Sequence, residues 1–290
     1  MESKRQAIDM TAIILTYNEE ANIKRCIESI RNLVQRIIVV DSYSTDNTVN
    51  IAKELNVEVF QNKWIHYAAQ FNWALDNIKI YTKWIFRIDA DECVPEELEN
   101  EIRENCAIHE NDDINGFILR YKVNFLGRFL LHGGWYPFLK LTIFKRDFGR
   151  FEDRAMGEHI ILSEGKAITL KTDCLHYDFK DLTTWTEKHN KYSSREVMDR
   201  MFVMAHRKSL AKLDGPLENN KRFRDSLYYR LPPFLRAKLY FWYRYYIRLG
   251  FLDGTQGRIF AFLQSYWYRF LIDAKLFEEK MKNTQNSSNK

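Results

Sequence analysis

Trp84-Ile85-Phe86-Arg87-Ile88-Asp89-Ala90-Asp91-Glu92 sets a short apolar run directly before two carboxylates separated by one small residue. The run reads as a buried strand, with Asp89 and Asp91 at its end. Hard cations take oxygen ligands, and Mg²⁺ is usually held by one or two carboxylates plus substrate phosphates. In open α/β sheets, ligands bind outside the carboxyl ends of the strands. Asp89-Ala90-Asp91 is therefore a candidate seat for a divalent cation beside a diphosphate. The plainer reading of the triplet is a solvated turn.

The flanking sequence supports the first reading. Residues 11–15 form a β-branched apolar run ending in Thr16-Tyr17-Asn18-Glu19-Glu20. Ile23, Cys26, Ile27 and Ile30 follow at helical spacing, and Asn18 with two glutamates beside it reads as a helix start. Residues 37–40 predict a second strand, ending in Asp41-Ser42-Tyr43-Ser44-Thr45-Asp46-Asn47-Thr48. A helix follows with Val49, Ala52 and Leu55 inward. Residues 57–60, 67–78 and 84–88 predict a third strand, a third helix and a fourth strand. Strands alternating with helices imply βαβ units and a parallel sheet. Polar clusters therefore fall at element ends: residues 16–20, 41–48, Gln70 with Asn72, and 89–92. Three of them would share the carboxyl edge of one sheet. Asn18 and Asp46 as plain helix N-caps explain each cluster singly. They do not predict acidic residues at the ends of both the second and the fourth strand.

Ile14-Leu15-Thr16-Tyr17-Asn18-Glu19-Glu20, Val39-Val40-Asp41-Ser42-Tyr43-Ser44-Thr45-Asp46-Asn47-Thr48 and Asp89-Ala90-Asp91-Glu92 together resemble the GT-A-fold family 2 glycosyltransferases. More narrowly, they resemble the bacterial branch that adds sugars to lipopolysaccharide core and related surface glycans. The likeness covers about the first 180 residues firmly and the tail loosely. It implies an α/β, Rossmann-like GT-A fold, with a mostly parallel sheet flanked by helices and a C-terminal helical extension. It implies an inverting, metal-dependent transfer of a sugar from a nucleotide-sugar, UDP by family habit, to a hydroxyl. It also implies that Thr16, Asn18 and Glu19 line the nucleotide pocket and that Asp41 contacts the base. Asp89 would face the ribose side, and Asp91, with Asp89, would hold the metal. Tyr43 stands where many relatives carry glycine. Carboxylates and phosphates suit Mg²⁺ and Mn²⁺ alike.

The chemistry needs such groups. Displacing a nucleoside diphosphate builds negative charge on the leaving phosphate, which a metal stabilises as a Lewis acid. The acceptor hydroxyl must lose a proton, which requires a general base on the far side of the sugar. In sequences of the resembling branch, a Glu beside a His soon after an aromatic loop fills that role. Glu158 matches this position, although many relatives carry the His before the Glu and here His159 comes after it. Asp153 is the second candidate. The alternative is that one or both are surface carboxylates, or pair with Arg150 and Arg154. His176 ends another strand-like run, and many GT-A enzymes place a late His near the metal or the diphosphate. A lone His is otherwise a hydrogen-bonded structural residue. His66, His109, His132, His189 and His206 have no partners at metal-ligand spacing.

Between these sites, Pro95 starts an acidic helix to about residue 109, and residues 116–123 and 139–145 predict strands. Residues 124–135 are rich in glycine and aromatics, and Trp135 either stacks on a pyranose face or belongs to the core.

Charge is distributed unevenly. Residues 181–290 hold 21 Lys and Arg against 11 Asp and Glu, while the whole chain carries +5. Eighteen of the 43 aromatics fall between Phe223 and Phe277. Leu235, Leu239, Trp242, Tyr246 and Leu249 share one helical stripe, with Arg236, Arg244 and Arg248 across from it. That pattern reads as a basic amphipathic helix on a membrane surface. The other reading is a helical cap packed on the catalytic domain. Residues 251–257 are expected to break the helix before a second one over 259–277, and the Gly-Phe-Leu-Asp-Gly turn also resembles the branch's tail. Without an RNA-binding fingerprint, nucleic acid is not expected as a partner.

No uninterrupted apolar run approaches the ~20 residues that cross a bilayer. The start, Met1-Glu2-Ser3-Lys4-Arg5-Gln6, does not read as a signal peptide. Cys26, Cys93, Cys106 and Cys174 lack paired spacing, as expected of a reduced cytosol. With 46% hydrophobic and 29% charged residues, the expected layout is a catalytic domain over 1–222 and a basic helical extension over 223–290. The expected partners are a nucleotide-sugar, a glycan or glycolipid acceptor and the inner face of the cytoplasmic membrane. Two other functions fit less well. A sugar-phosphate nucleotidyltransferase would open with a Gly-rich loop, and residues 16–20 contain no glycine. A degenerate scaffold would not need Asp89, Asp91 and Glu158 intact.

Overall fold

A computed structural model describes residues 6–152, 159–177, 181–206 and 227–288. Along the chain, β1 (Ile8–Thr16), α1 (Ile23–Ile30), β2 (Val34–Asp41), α2 (Thr48–Glu54), β3 (Glu58–Gln61) and α3 (Tyr67–Asn77) alternate. Then come β4 (Trp84–Asp89), β5 (Glu92–Cys93), α4 (Glu96–Ile108), β6 (Ile114–Phe125) and β7 (Arg128–Phe129). β8 (Phe138–Lys145), β9 (Gly149–Phe151), β10 (Ile160–Leu162) and β11 (Lys166–His176) follow. The helices α5 (Leu182–His206), α6 (Leu235–Trp242), α7 (Gly254–Ala261) and α8 (Tyr268–Ser288) complete the order. The chain divides into two compact units. The first is Met1–Asn124 with Pro137–Asp178, and the second is Phe125–Tyr136 with Phe179–Lys290. The expected boundary at residues 222 and 223 lies outside the described residues.

The first unit is built on a mixed sheet in the order β3-β2-β1-β4-β8-β6-β11-β5. The strands β3, β2, β1 and β4 are mutually parallel, and β8 joins antiparallel between β4 and β6. β1 is buried from Met10 to Thr16 because both faces of the sheet are covered. Side chains alternate across a strand. Met10, Ala12 and Ile14 therefore pack with Ile23 and Ile27 of α1 and Leu98 and Ile102 of α4. Ile13 and Leu15 pack on the opposite face with Ala68, Phe71 and Ala74 of α3. Glu96, Glu97 and Glu99 occupy the first turn of α4, where the helix dipole favours negative charge. These strands and helices fall where the apolar periodicity predicts them, within a few residues at each end.

The polar pair Gln70 and Asn72 proves structural. Gln70 is fully buried and ties Ser42 to Asn62, donating to Ser42 Oγ and to the Asn62 carbonyl, both at 3.1 Å. Asn72 exchanges two hydrogen bonds with the backbone of Phe151 in β9.

In the second unit, α5 is the element that periodicity misses. Its inward positions mix Trp185, Ser193 and Val197, so no apolar stripe marks it. Asp181 caps its start, accepting from the Thr184 amide at 2.7 Å. Glu196 accepts from the hydroxyls of Tyr229 and Tyr268 and from Arg269, tying α5 to α8. α6 is oriented by charge. Arg236, 5% exposed, pairs with buried Asp273 of α8, and Asp273 also accepts from the Phe234 amide at 2.8 Å. Arg244, 8% exposed, lies 3.6 Å over the Trp135 ring, which meets Phe260 edge-on. Trp135 thus belongs to the packing of this unit.

The expected break over residues 251–257 is displaced. α6 passes into a π-helical turn over Tyr243–Ile247, the chain breaks at Leu249, whose φ is +60°, and a short 3₁₀ turn over Gly250–Asp253 leads directly into α7. Gly257 sits inside α7 because a Cβ there would lie 2.5 Å from the Gly250 carbonyl oxygen. Its role is close approach, not helix breaking.

Candidate active site

Strand register brings the predicted motifs to one edge. Thr16 is opposite Asp41, and Leu15 is opposite Asp89, so β1, β2 and β4 end side by side. Each strand then enters a polar loop at its carboxyl end. The loop after β1 is locked to the loop after β2. Asn18 adopts φ +56°, its amide donates to Ser44 Oγ at 2.9 Å, and its Oδ1 accepts from the Thr45 amide at 2.8 Å. The Glu19 amide donates to Thr48 Oγ1 at 2.7 Å, and the Glu19 carboxylate accepts from Asn22. Asp41 is fully buried. Its Oδ1 accepts from Thr16 and Ser44 hydroxyls, and its Oδ2 accepts from the Ser44 amide and Gln61. Tyr43, half exposed, takes φ +60°, the left-handed conformation that glycine adopts most readily.

At the end of β4 the charges interlock. Arg87 grips both oxygens of Asp89 at 2.6 and 2.7 Å. The Tyr67 hydroxyl donates to Asp89 Oδ1 and accepts from Arg87 Nε, each at 2.5 Å. Lys140 of β8 reaches Asp89 Oδ2 at 3.3 Å and Glu92 Oε1 at 2.8 Å. Glu92 is fully buried, and its other oxygen accepts from the Asp89 amide and the Tyr121 hydroxyl. Burial opposes the charge on Asp89, but Arg87 and Lys140 overcome it and hold this carboxyl well below the usual range. Burial pushes Glu92 up, with Lys140 only partly countering.

Asp91 stands apart from that network. β11 runs beside β5, with His176 opposite Glu92, and the Tyr177 amide donates to the Asp91 carbonyl at 2.8 Å. This places His176 Nε2 3.4 Å from Asp91 Oδ1. Burial alone would lower the His176 pKa, but the Asp91 carboxylate outweighs it and raises the imidazole above its ordinary value. The same pairing keeps Asp91 low despite its burial. Asp91 Oδ1 and His176 Nδ1 are both buried with no hydrogen-bond partner among the described residues. Orphaned buried polar atoms are costly, so a carboxylate oxygen and an imidazole left this way at a sheet edge fit a cation. Among the described residues no group of three or more His, Cys, Asp or Glu is arranged to hold a metal by itself. The protein thus offers a partial donor set, as expected where substrate phosphates complete the shell.

The sequence-predicted residues Thr16, Asn18, Glu19, Asp41, Asp89, Asp91 and His176 therefore share the carboxyl edge and the β5–β11 margin of one sheet. Glu158 and Asp153, the base candidates, lie outside the described residues. Sequence reasoning missed Arg87, Lys140 and Tyr67. Arg87 carried a signal, being a cation inside an apolar strand two residues from Asp89. Lys140 and Tyr67 carried none, since they reach the cluster from other elements.

The sheet and its acidic edge define a GT-A-fold glycosyltransferase. The model of the family described as Glycosyl transferase family 2 matches residues 11–162. An uncharacterized glycosyltransferase from Rickettsia felis is 30% identical over 289 residues, covering 94% of this chain and 91% of its own. The lipopolysaccharide core biosynthesis glycosyltransferase LpsC of Rhizobium meliloti is 27% identical over 267 residues, covering 88% of this chain and 90% of its own. Among solved structures, the mannosyltransferase PcManGT from Pyrobaculum calidifontis, in complex with GDP-Man and Mn²⁺, shares the fold with a TM-score of 0.50 at 17% identity. That match covers 98% of this chain and 89% of PcManGT. The chain belongs to glycosyl transferase family 2 and is a nucleotide-sugar-dependent glycosyltransferase.

Proposed function

We propose that the protein transfers a sugar, with inversion, from a nucleotide-sugar to a hydroxyl of a lipid-linked or lipopolysaccharide-type glycan at the inner face of the cytoplasmic membrane. The observation that carries the catalytic part is the Asp91–His176 pair, buried, facing at 3.4 Å and orphaned at the sheet edge. Asp91 and His176 would hold a divalent cation, Mg²⁺ or Mn²⁺. When bound, that ion supplies Lewis-acid stabilisation of the charge on the leaving diphosphate.

The chain's own residues prepare the site. Arg87, Tyr67 and Lys140 fix the Asp89 carboxylate, so the turn that carries Asp91 is preorganised. Asp89 contributes to the ribose side and to the cation's surroundings from that fixed position. Thr16, Asn18 and Glu19 line the nucleotide pocket, and Asp41, buried beneath Thr16 and Ser44, shapes the loop that would meet the base. Glu158 is the proposed base, with Asp153 second. The lipopolysaccharide-type acceptor is supported by the similarity to LpsC along most of both chains. The metal is supported by the shared fold with a mannosyltransferase captured with GDP-Man and Mn²⁺.

Thermal melting of the purified protein with a nucleotide panel, with and without Mn²⁺, tests the reading. A ligand that binds only the native state raises the melting temperature. A Mn²⁺-dependent rise with one nucleoside diphosphate, abolished in Asp91→Ala, is expected. No rise with any nucleotide would overturn it.

A further inference from the structure

α6 presents the reverse of the usual amphipathic arrangement. Its two buried polar anchors are arginines: Arg236 is locked to Asp273, and Arg244, in the turn that follows, lies on Trp135. The apolar stripe faces outward. Leu235, Leu239, Trp242, Tyr246 and Leu249 are each between 42% and 53% exposed, and Phe251 continues the patch. Large contiguous apolar patches on a protein surface mark interaction sites. Here the arginine anchors hold the stripe outward, so its exposure is built into the fold.

Charge selects the occupant. From Leu227 to Phe262 the chain carries six basic residues and a single acid, Asp253. Asp253 is 2% exposed, and its carboxylate is taken up by the His132 amide and ring at 2.9 and 2.8 Å. Arg230, Lys238, Arg248 and Arg258 are exposed. A second copy of the chain would set like charge against like charge, whereas an anionic surface is complementary. Trp and Tyr, with an apolar body and a polar tip, suit the boundary between acyl chains and headgroups. No helix among the described residues is long and apolar enough to cross a membrane. Attachment through this face is therefore in the plane of the interface. A cleft of about 490 Å³ beside it is lined by Phe241, Ile259, Phe262 and Leu263, with Arg258 as its charged group.

We infer that the outward face of α6 and the turn after it is a membrane-docking surface. It seats Leu239, Trp242, Tyr246 and Leu249 among the acyl chains of an anionic bilayer, and Lys238, Arg248 and Arg258 meet the headgroup phosphates. The inference deepens the proposed function by naming the surface that would meet the membrane. It stands independently of the transfer reaction.

The test is flotation of the full chain with vesicles of phosphatidylcholine alone or mixed with phosphatidylglycerol, without nucleotide or acceptor. The wild type is expected to float with the anionic vesicles and to be released by salt. The exposed-site variant Leu239→Glu/Trp242→Glu/Leu249→Glu is expected to lose partitioning by on the order of tenfold per side chain. Circular dichroism and an unchanged nucleotide-induced melting shift check its folding. Lys238→Glu/Arg248→Glu should abolish only the preference for anionic vesicles. Wild-type protein that stays unbound, or a triple variant that floats as well as wild type, would overturn the inference. So would wild-type dimerisation in lipid-free buffer that the triple variant abolishes, because the face would then join two copies. Vesicle binding without any nucleotide-dependent shift would sink the glycosyl-transfer reading alone.

Discussion

The sheet edge of the first unit buries Arg87, Lys140, Asp89 and Glu92 as one interlocked cluster, whereas the helical unit buries Arg236 against Asp273 and Arg244 against an aromatic ring. Both arrangements obey the rule that buried charge must be partnered. Their consequences differ. At the sheet edge, the partnered charges stiffen a turn and leave Asp91 and His176 beside it paired, among the described residues, only with each other, outside that cluster. In the helical unit, the partnered charges occupy positions that aliphatic side chains would otherwise fill, and the aliphatics turn outward. One unit uses internal ion pairs to prepare a polar site, and the other uses them to present an apolar one.

The comparison breaks most visibly at Asp91. Asp91→Ala should lower sugar transfer on the order of 100-fold or more and remove the Mn²⁺-dependent nucleotide shift. It should lower the melting temperature of the free protein far less than it lowers transfer, because His176 is the one side chain that Asp91 pairs with among the described residues. Full activity in this variant would remove the metal assignment.

Removing a buried cation should cost stability in either unit. Lys140→Met leaves Glu92 and Asp89 with one partner fewer, and Arg236→Met leaves Asp273 uncompensated. Each is expected to destabilise by about 3–5 kcal/mol in urea unfolding. Adding Asp273→Leu to Arg236→Met should recover most of that loss, since well-packed apolar pairs often replace buried ion pairs. Replacing Lys140 has no such simple remedy, because two carboxylates depend on it. Equal recovery in both units would erase the distinction between them.

The pH dependence follows from His176. Its pKa is raised in the folded chain, so the Asp91–His176 attraction is fully present below about pH 6.5 and is lost as pH rises through the higher folded value. A bound metal requires the neutral imidazole and competes with the proton. The Mn²⁺-dependent part of the melting shift should therefore grow with pH through this range, while the metal-free pair weakens. A metal effect that is flat with pH would exclude His176 as a ligand.

The smallest effect is expected at Tyr43. A tyrosine at φ +60° is strained where glycine is not. Tyr43→Gly should change stability by no more than about 1 kcal/mol in the stabilising direction, because glycine's greater unfolded-state entropy offsets part of the relief. A large loss in urea unfolding would mean that the ring is needed for packing.

Most of the first unit is legible in the sequence. β1, β2 and β4 are apolar runs that end in polar motifs, and parallel pairing obliges those ends to lie on one edge. The register of Thr16 with Asp41 and of Leu15 with Asp89 is the expected result. His176 is legible as a candidate only, since nothing in its neighbours predicts that β11 runs beside β5. α5 is not legible, because its buried positions mix tryptophan, serine and valine. In α6 the stripe itself is legible, but the side it faces is not, because hydropathy assigns arginine to water.

The sequence by itself determined the class of fold, the acidic edge and the identity of its strand-end residues, because local periodicity and strand–helix alternation constrain all three. Tertiary structure alone decided which of those carboxylates are occupied by internal partners and which are not. Lys140, Tyr67 and His176 arrive from elements distant in sequence, and no local pattern records where they meet. It also decided the outward turn of the α6 stripe, since Arg236 meets Asp273, 37 residues away, and Arg244 meets Trp135 in the interior, contacts that no local pattern records.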